Sequence, residues 1–232
     1  MSKLRGYLEQ PDAKLWAALL ASLLFQTAYW YLGSPGPTLL GDAGQTVRDA
    51  LANIGWALVW LLGAPLLTLR LLGVWLEGLS FGLGDVRFGL VSVLGFGVLF
   101  IPFLYLGAAN ADLQAVYPWA GAWVGRTVLN VVAWTLLYSL YYLSFEFFYR
   151  GFLLRLLAAP WGLSAAVGMQ LVASVLIHLG KPLPEVIAAI PAGLVFALLA
   201  MRGRSLLYPV LLHLLIGITT DLAALHHQGL LL

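Results

Sequence analysis

Seven apolar runs, each about as long as a helix needs to cross a bilayer, constrain this 232-residue sequence more than any other feature. They cover residues 15–32, 53–72, 88–107, 127–148 (extendable to 157), 163–179, 186–201 and 206–225. Gly and Pro residues are concentrated between the runs, as expected for the connections between helices. We therefore predict an all-α fold, a polytopic membrane helical bundle of about seven transmembrane helices.

The composition excludes most other classes of protein. Hydrophobic residues make up 62% of the chain and charged residues 9%, with a mean hydropathy of +0.93. A soluble domain is about half apolar and a quarter charged, so this chain cannot build a water-facing surface. The lack of Cys excludes a disulfide scaffold, and a net charge of +2 is too small to favour binding of nucleic acid.

The distribution of basic residues predicts the orientation of the bundle. With the N-terminus inside, every Lys and Arg except Arg48, Arg126 and Lys181 lies on the inner side, as the positive-inside rule requires. We expect a cytoplasmic N-terminus, an external C-terminus and an integral protein of a prokaryotic inner membrane. Residues 1–14 are interpreted as a cytoplasmic lead-in and residues 15–232 as a single transmembrane bundle.

Ionisable residues inside the apolar runs are concentrated in the C-terminal half. A charge deep in a bilayer is costly unless it is paired or hydrated, so each one is a candidate for a functional site. Glu146 and Arg150 are four residues apart and share a helix face. His178 ends the fifth run, while His213 and Asp221 are eight apart and again share a face.

These five residues are the minimum set for hydrolysing a peptide bond without a covalent intermediate. We expect Glu146 to act as the general base, with His178 as its partner on the attacking water and Arg150 orienting the carboxylate. We expect His213 and Asp221 to stabilise the tetrahedral oxyanion. Serine or cysteine hydrolysis fits less well, because the chain has no Cys and no G-x-S-x-G motif.

Three segments in this order resemble the motifs of the CAAX-processing and bacteriocin-processing (CPBP, or Abi) intramembrane proteases: Glu146-Phe-Phe-Tyr-Arg150-Gly151-Phe152-Leu153, His178, and Pro209-Val-Leu-Leu-His213. The family pattern is E-E-x-x-x-R, F-x-x-x-H and H-x-x-x-N or D on successive helices, and the resemblance covers roughly residues 125–225. It implies a helical bundle with a cavity open to water and lipid. It also implies a glutamic-type endopeptidase in which a Glu and a His activate water to cleave a membrane-embedded or membrane-associated peptide.

The chain departs from the family pattern at three positions. Phe145 replaces the first Glu, which is usually given the catalytic carboxylate, and Ser174 replaces the Phe of the second motif. Gly217 stands where the family has Asn or Asp, and the nearest carboxylate, Asp221, is one further turn along. These departures predict either a variant subgroup that works through Glu146 and Asp221, or a relative that has lost hydrolysis.

Other functions remain open from the sequence. We expect no cofactor, with a zinc site built from His178, His213 and Glu146 or Asp221 as the less favoured alternative, since there is no H-E-x-x-H motif. The same polar residues could carry protons in a transporter. A third alternative is an inactive CPBP-like binding or immunity protein.

Several polar residues near these motifs have simpler explanations. Lys181 and Glu185 are interpreted as interface anchors, and Gln170 as a hydrogen-bonding contact between helices. The aromatic residues of the fourth run are interpreted as packing or interfacial residues, namely Tyr138, Tyr141, Tyr142 and Tyr149. At 1.5 Å per residue, Glu146 lies about 16 Å and His178 about 24 Å from the inner face if the fourth helix runs to Leu157. If that helix ends at Phe148, Glu146 is too close to the inner face to meet His178, so the proteolytic interpretation requires a long fourth helix.

Overall fold

The computed structural model describes residues 11–33, 46–76, 79 and 81–231. These segments are helical and contain no strand, which confirms the predicted all-α polytopic bundle. The main helices are α1 (Pro11–Gly33), α2 (Val47–Leu72), α3 (Val86–Gly107), α4 (Val128–Trp161), α5 (Leu163–Leu176), α6 (Leu183–Arg202) and α7 (Leu207–His227). Each predicted span overlaps one of these helices.

Most of the predicted lead-in, residues 1–10, lies outside the described residues, and α1 begins at Pro11.

Helix α5 is shorter than predicted. Within the described segments, six helices are long and apolar enough to cross a membrane, and α5, with 14 residues, is not among them. Its length is about 21 Å, against a hydrocarbon thickness of about 30 Å. The helix ends because the chain after Ile177 enters a turn in which Gly180 takes a positive φ of 91°. His178 therefore lies in this turn and not in a helix.

Helix α4 is the long element that the proteolytic interpretation requires. It runs without interruption for 34 residues from Val128 to Trp161. Residues Phe147–Leu153 form a π-helical segment within it, and all seven are buried. A π segment adds a residue to the local turn, so side chains beyond it point in directions that a regular 3.6-residue period does not predict, and such segments are frequent at functional sites. Arg150 lies in this segment and Glu146 immediately precedes it.

Helices α3 and α7 pack closely through glycines on α3. A Cβ at Gly89 would lie 2.3 Å from the ring of Tyr208, and one at Gly97 would lie 2.7 Å from Leu215. The hydroxyl of Tyr208 donates a hydrogen bond to the carbonyl of Leu83, just before α3. This packing fixes α7, which carries His213, against the helix that forms one wall of the cavity described below.

Substitution at Gly89 tests this packing. We expect Gly89→Ala to destabilise the protein by about 1–3 kcal/mol, because the added methyl group overlaps the buried Tyr208 ring. Gly95→Ala is the matched control, because Gly95 lies in the same helix and a Cβ there would meet nothing within 4 Å. Thermal unfolding in detergent should separate the two variants, and equal midpoints would contradict the predicted close contact.

Candidate active site

A cavity of about 370 Å³ lies between α3, α4, α6 and α7. Its wall is mostly apolar and aromatic, and it includes side chains from the loop before α4 and from the turn after α5. Arg150, His178 and His213 all line it. The structure thus brings the two predicted histidines and the predicted arginine to one enclosed space.

The carboxylate of Glu146 is paired with two of these residues. Its Oε1 atom lies 2.6 Å from Nδ1 of His213 and 3.2 Å from Nη1 of Arg150. Glu146 is fully buried and Arg150 is 1% exposed. The Oε2 atom is also buried and has no hydrogen-bond partner among the described residues. A buried carboxylate held by an imidazole and a guanidinium links α4 firmly to α7.

Glu146 lies behind His213 as seen from the cavity. His213 and Arg150 belong to the cavity wall, whereas Glu146 does not. When a carboxylate is ionised it can only accept hydrogen bonds, and Nδ1 of His213 must then carry the proton of this pair. The neutral imidazole then keeps Nε2 as an acceptor. Rings on two sides hold the imidazole in place, with Phe196 stacked at 4.6 Å and Tyr142 at 4.2 Å between ring centroids.

His178 lies across Phe145 from His213. The ring centroid of Phe145 is 6.0 Å from that of His178 and 5.2 Å from that of His213. Nδ1 of His178 donates to the carbonyl oxygen of Ser174 at 2.6 Å, which leaves Nε2 of a neutral ring as an acceptor. Glu146 was expected to share a water with His178, and the direct contact that the structure shows is with His213, while the ring of Phe145 contacts both imidazoles.

Asp221 lies outside the cavity wall and is fully buried. Its Oδ1 atom accepts from the backbone N–H of Trp119 at 2.8 Å, and its Oδ2 atom accepts from Nε1 of Trp134 at 2.7 Å. These bonds connect α7 with α4 and with the loop before it. The structure does not bring Asp221 to the two histidines, and both oxygens have structural partners.

The space one turn after His213 is filled by a phenol. A Cβ at Gly217 would lie 2.0 Å from the hydroxyl oxygen of Tyr142, so only glycine leaves room for this side chain. Tyr142 also lines the cavity beside His213. The sequence interpretation treated Tyr142 as packing. A glycine on α7 cannot by itself reveal which side chain of another helix fills the space.

A group of three polar side chains in contact with one another also lines the cavity, namely Tyr117, Lys181 and Glu185. The last two were interpreted from the sequence as interface anchors, and the structure instead places them in the cavity wall. Gln170 is buried and donates to the carbonyl of Val167 in its own helix, away from the cavity. Among the residues that the structure describes, no group of three or more His, Cys, Asp or Glu side chains is arranged to hold a metal ion.

Asp221→Asn distinguishes a structural from a catalytic role for this carboxylate. The amide has one acceptor in place of two, so we expect a loss of about 1–3 kcal/mol in stability. Turnover per folded molecule should change by less than about threefold, whereas loss of an oxyanion group lowers kcat by about 10²–10³-fold. Asp112→Asn, at an exposed position, is the control. Thermal unfolding and kcat should be measured on the same preparations.

Comparison with known proteins shows a similarity to one protein family. The sequence profile of the family described as Rce1-like, "type II CAAX prenyl endopeptidase Rce1-like", matches residues 127–219. No curated protein and no solved structure matches the chain. The matched segment extends from the start of α4 into α7, so it contains Glu146, Arg150, His178 and His213 but not Asp221. The resemblance seen in the three motifs is confirmed over residues 127–219, where this integral membrane protein is similar to the Rce1-like CAAX endopeptidases.

Proposed function

We propose that this chain is an intramembrane endopeptidase that hydrolyses a peptide bond of a membrane-associated substrate inside the cavity between α3, α4, α6 and α7. The match of residues 127–219 to the profile of a protease family supports the reaction class. One observation carries the site assignment. Two imidazoles lie in the wall of one largely apolar cavity, and a buried carboxylate holds one of them from behind.

In this proposal His213 is the general base and Glu146 is a positioning residue. Glu146 accepts the Nδ1 proton of His213, which leaves Nε2 free to take a proton from water. The water oxygen then bonds to the substrate carbonyl carbon, and the carbonyl oxygen becomes an oxyanion. The imidazolium formed on His213 is stabilised by the charge of Glu146. This assignment replaces the expected role of Glu146 as the base that contacts water, because Glu146 is not in the cavity wall.

Completion of the reaction requires a proton on the leaving nitrogen. The imidazolium of His213 returns its proton to this nitrogen, the C–N bond breaks, and an amine and a carboxyl product result. We assign His178 as the second acid–base group in the wall, able to exchange protons with the products through Nε2. No step in this scheme uses a metal ion.

The oxyanion needs a hydrogen-bond donor, and we assign Tyr142 to this role. Its hydroxyl lies against Gly217, one turn after the base, and its ring contacts His213. A phenol is a suitable donor for an oxyanion in a low-dielectric site. Arg150 adds positive charge from the same wall, although its Nη1 atom is already bonded to Glu146.

The wall of the cavity is suited to an apolar substrate. Aromatic side chains from three helices line it, including Phe100, Tyr141 and Phe196. The family description names a prenyl substrate, and we extend this to the present chain as the first substrate to test. A quenched fluorescent peptide ending in a prenylated CAAX sequence, with its non-prenylated form beside it, is therefore the reporter for the experiments below.

Turnover of this reporter in proteoliposomes tests the proposed mechanism. We expect His213→Ala to lower kcat by about 10²–10⁴-fold, the usual contribution of a general base. Glu146→Gln should lower kcat by at least about 10²-fold with little change in KM, because the amide can stabilise the wrong tautomer of His213. His226→Ala is the matched control, since this histidine of α7 is exposed and contacts Tyr105 outside the cavity.

Three outcomes would contradict the mechanism. Unchanged turnover in His213→Ala would exclude this residue as the base. Loss of turnover on strong chelation, restored by added zinc, would favour the metal-dependent alternative. Binding of the reporter without cleavage by the wild type would instead indicate an inactive relative in which Phe145 has abolished hydrolysis.

Tyr142→Phe tests the assigned oxyanion donor. The substitution removes only the hydroxyl and creates no contact with Gly217, so the fold should be retained. We expect kcat to fall by about 10²-fold with little change in KM, since loss of one oxyanion donor typically costs that much. Tyr105→Phe is the control, because the hydroxyl of Tyr105 contacts His226 at 3.1 Å and Tyr105 does not line the cavity. Equal effects of the two substitutions would refute the role of Tyr142.

A further inference from the structure

A second polar cluster in the cavity wall has no part in the mechanism above. Nζ of Lys181 lies 2.7 Å from Oε1 of Glu185 and 3.3 Å from the hydroxyl of Tyr117. That hydroxyl donates to the same Oε1 atom at 3.0 Å. Lys181 lies in the turn after α5 and Glu185 in the first turn of α6, while Tyr117 belongs to the loop before α4. We call these three residues the lysine cluster.

The lysine cluster retains one hydrogen-bond acceptor and one donor. Oε1 of Glu185 accepts both bonds within the cluster, whereas Oε2 is buried and has no hydrogen-bond partner among the described residues. The ammonium of Lys181 has three N–H groups, and its two contacts in the described part of the chain use two of them. An unbonded buried oxygen is costly, so a bound molecule that donates to it would gain affinity.

The charge of the cluster selects the kind of ligand. Burial lowers the pKa of Lys181, but the neighbouring Glu185 carboxylate raises it by more than burial lowers it. The pKa of Lys181 therefore lies above its usual value, and the ion pair persists at neutral pH. The pair is neutral overall, and a free ammonium or carboxylate of a ligand would leave one charge uncompensated. A neutral group with one donor and one acceptor fits best.

One residue of an extended peptide offers this arrangement. Its own N–H and C=O point to the same edge of the strand, as they do in a hydrogen-bonded pair of an antiparallel sheet. We propose that Lys181 and Glu185 form a specificity subsite that binds the backbone of one substrate residue, its C=O accepting from Lys181 and its N–H donating to Glu185. This proposal rests on the proposed function, because it takes the cavity to be the substrate site.

The lysine cluster lies close to one of the two imidazoles. The backbone N–H of Lys181 donates to the carbonyl of His178 at 3.0 Å, so both residues belong to one turn. The ends of such a turn are less than about 7 Å apart, which equals about two residues of extended chain. Tyr117 is fixed in place as well, since Nε2 of Gln228 donates to its carbonyl at 2.9 Å. The bound residue is therefore expected near the scissile bond.

Backbone ester substitution tests the subsite. We would prepare the prenylated CAAX reporter with one amide at a time replaced by an ester, which removes a single N–H and keeps the shape of the chain. The wild type should show a drop of about tenfold in kcat/KM at one position near the scissile bond, the effect of one hydrogen bond to a charged group. The double variant Lys181→Met with Glu185→Leu should reduce that drop to less than about twofold, while its folding is retained because apolar residues of similar size replace the pair.

Tyr117→Phe is the matched control, because it keeps both members of the ion pair and should keep the position-specific drop. A drop that is unchanged in the double variant, or equal at every position, would overturn the subsite. The same peptides should also be tested for binding, by fluorescence of Trp119 in the cavity wall. A position-specific loss of affinity without any cleavage would support the subsite and reject the proposed hydrolysis. Cleavage without a position-specific effect would reject the subsite alone.

Discussion

The pairing of Glu146 with His213 and Arg150 is the interaction on which the rest of this site depends. A lone charge at the centre of a bilayer costs about 2.5–3.5 kcal/mol or more, so a fully buried carboxylate must have partners. One partner lies four residues along the same helix, and the other lies on α7 at 2.6 Å. The need to satisfy this carboxylate therefore fixes both the rotation and the depth of α7 against α4. Neither helix could slide by a turn without leaving the charge unpaired.

Two unusual residues become understandable once this contact is fixed. The ring of Phe145 contacts both imidazoles, edge to face in each case. Gly217 leaves space for the hydroxyl of Tyr142 beside the paired histidine. In each case a residue departs from the family pattern, and an aromatic side chain of α4 occupies the resulting space. The departures are thus parts of one packing arrangement around His213 and not independent losses.

The sequence predicted the elements of this site better than their contacts. Apolar run length is a local property, so the helices were correctly expected, as was the shared face of Glu146 and Arg150. Contacts between helices depend on tilt and on the π segment at Phe147–Leu153, and neither follows from periodicity. For this reason the contact between Glu146 and His213 was not predicted, and His178 was expected to act with Glu146 on one water. Tyr117 contacts Glu185 and Trp119 contacts Asp221. Both aromatic residues lie in a loop, where no helical periodicity predicts the direction of a side chain.

The charges around the cavity suit a reaction that begins and ends without net charge. Two carboxylates and two cations form two ion pairs, Glu146 with Arg150 and Glu185 with Lys181. In a low-dielectric site, separated charges interact strongly and an isolated one is costly. In the proposed mechanism, proton transfer from water to His213 creates an imidazolium and an oxyanion together, so the cavity remains neutral overall at each step. The buried Glu146 would then lie next to the imidazolium, and the proposed oxyanion donors, Tyr142 and Arg150, line the cavity. A carboxylate at position 145 would add a negative charge between the imidazoles, whereas Phe145 keeps the two pairs balanced, and this balance favours an imidazole as the base.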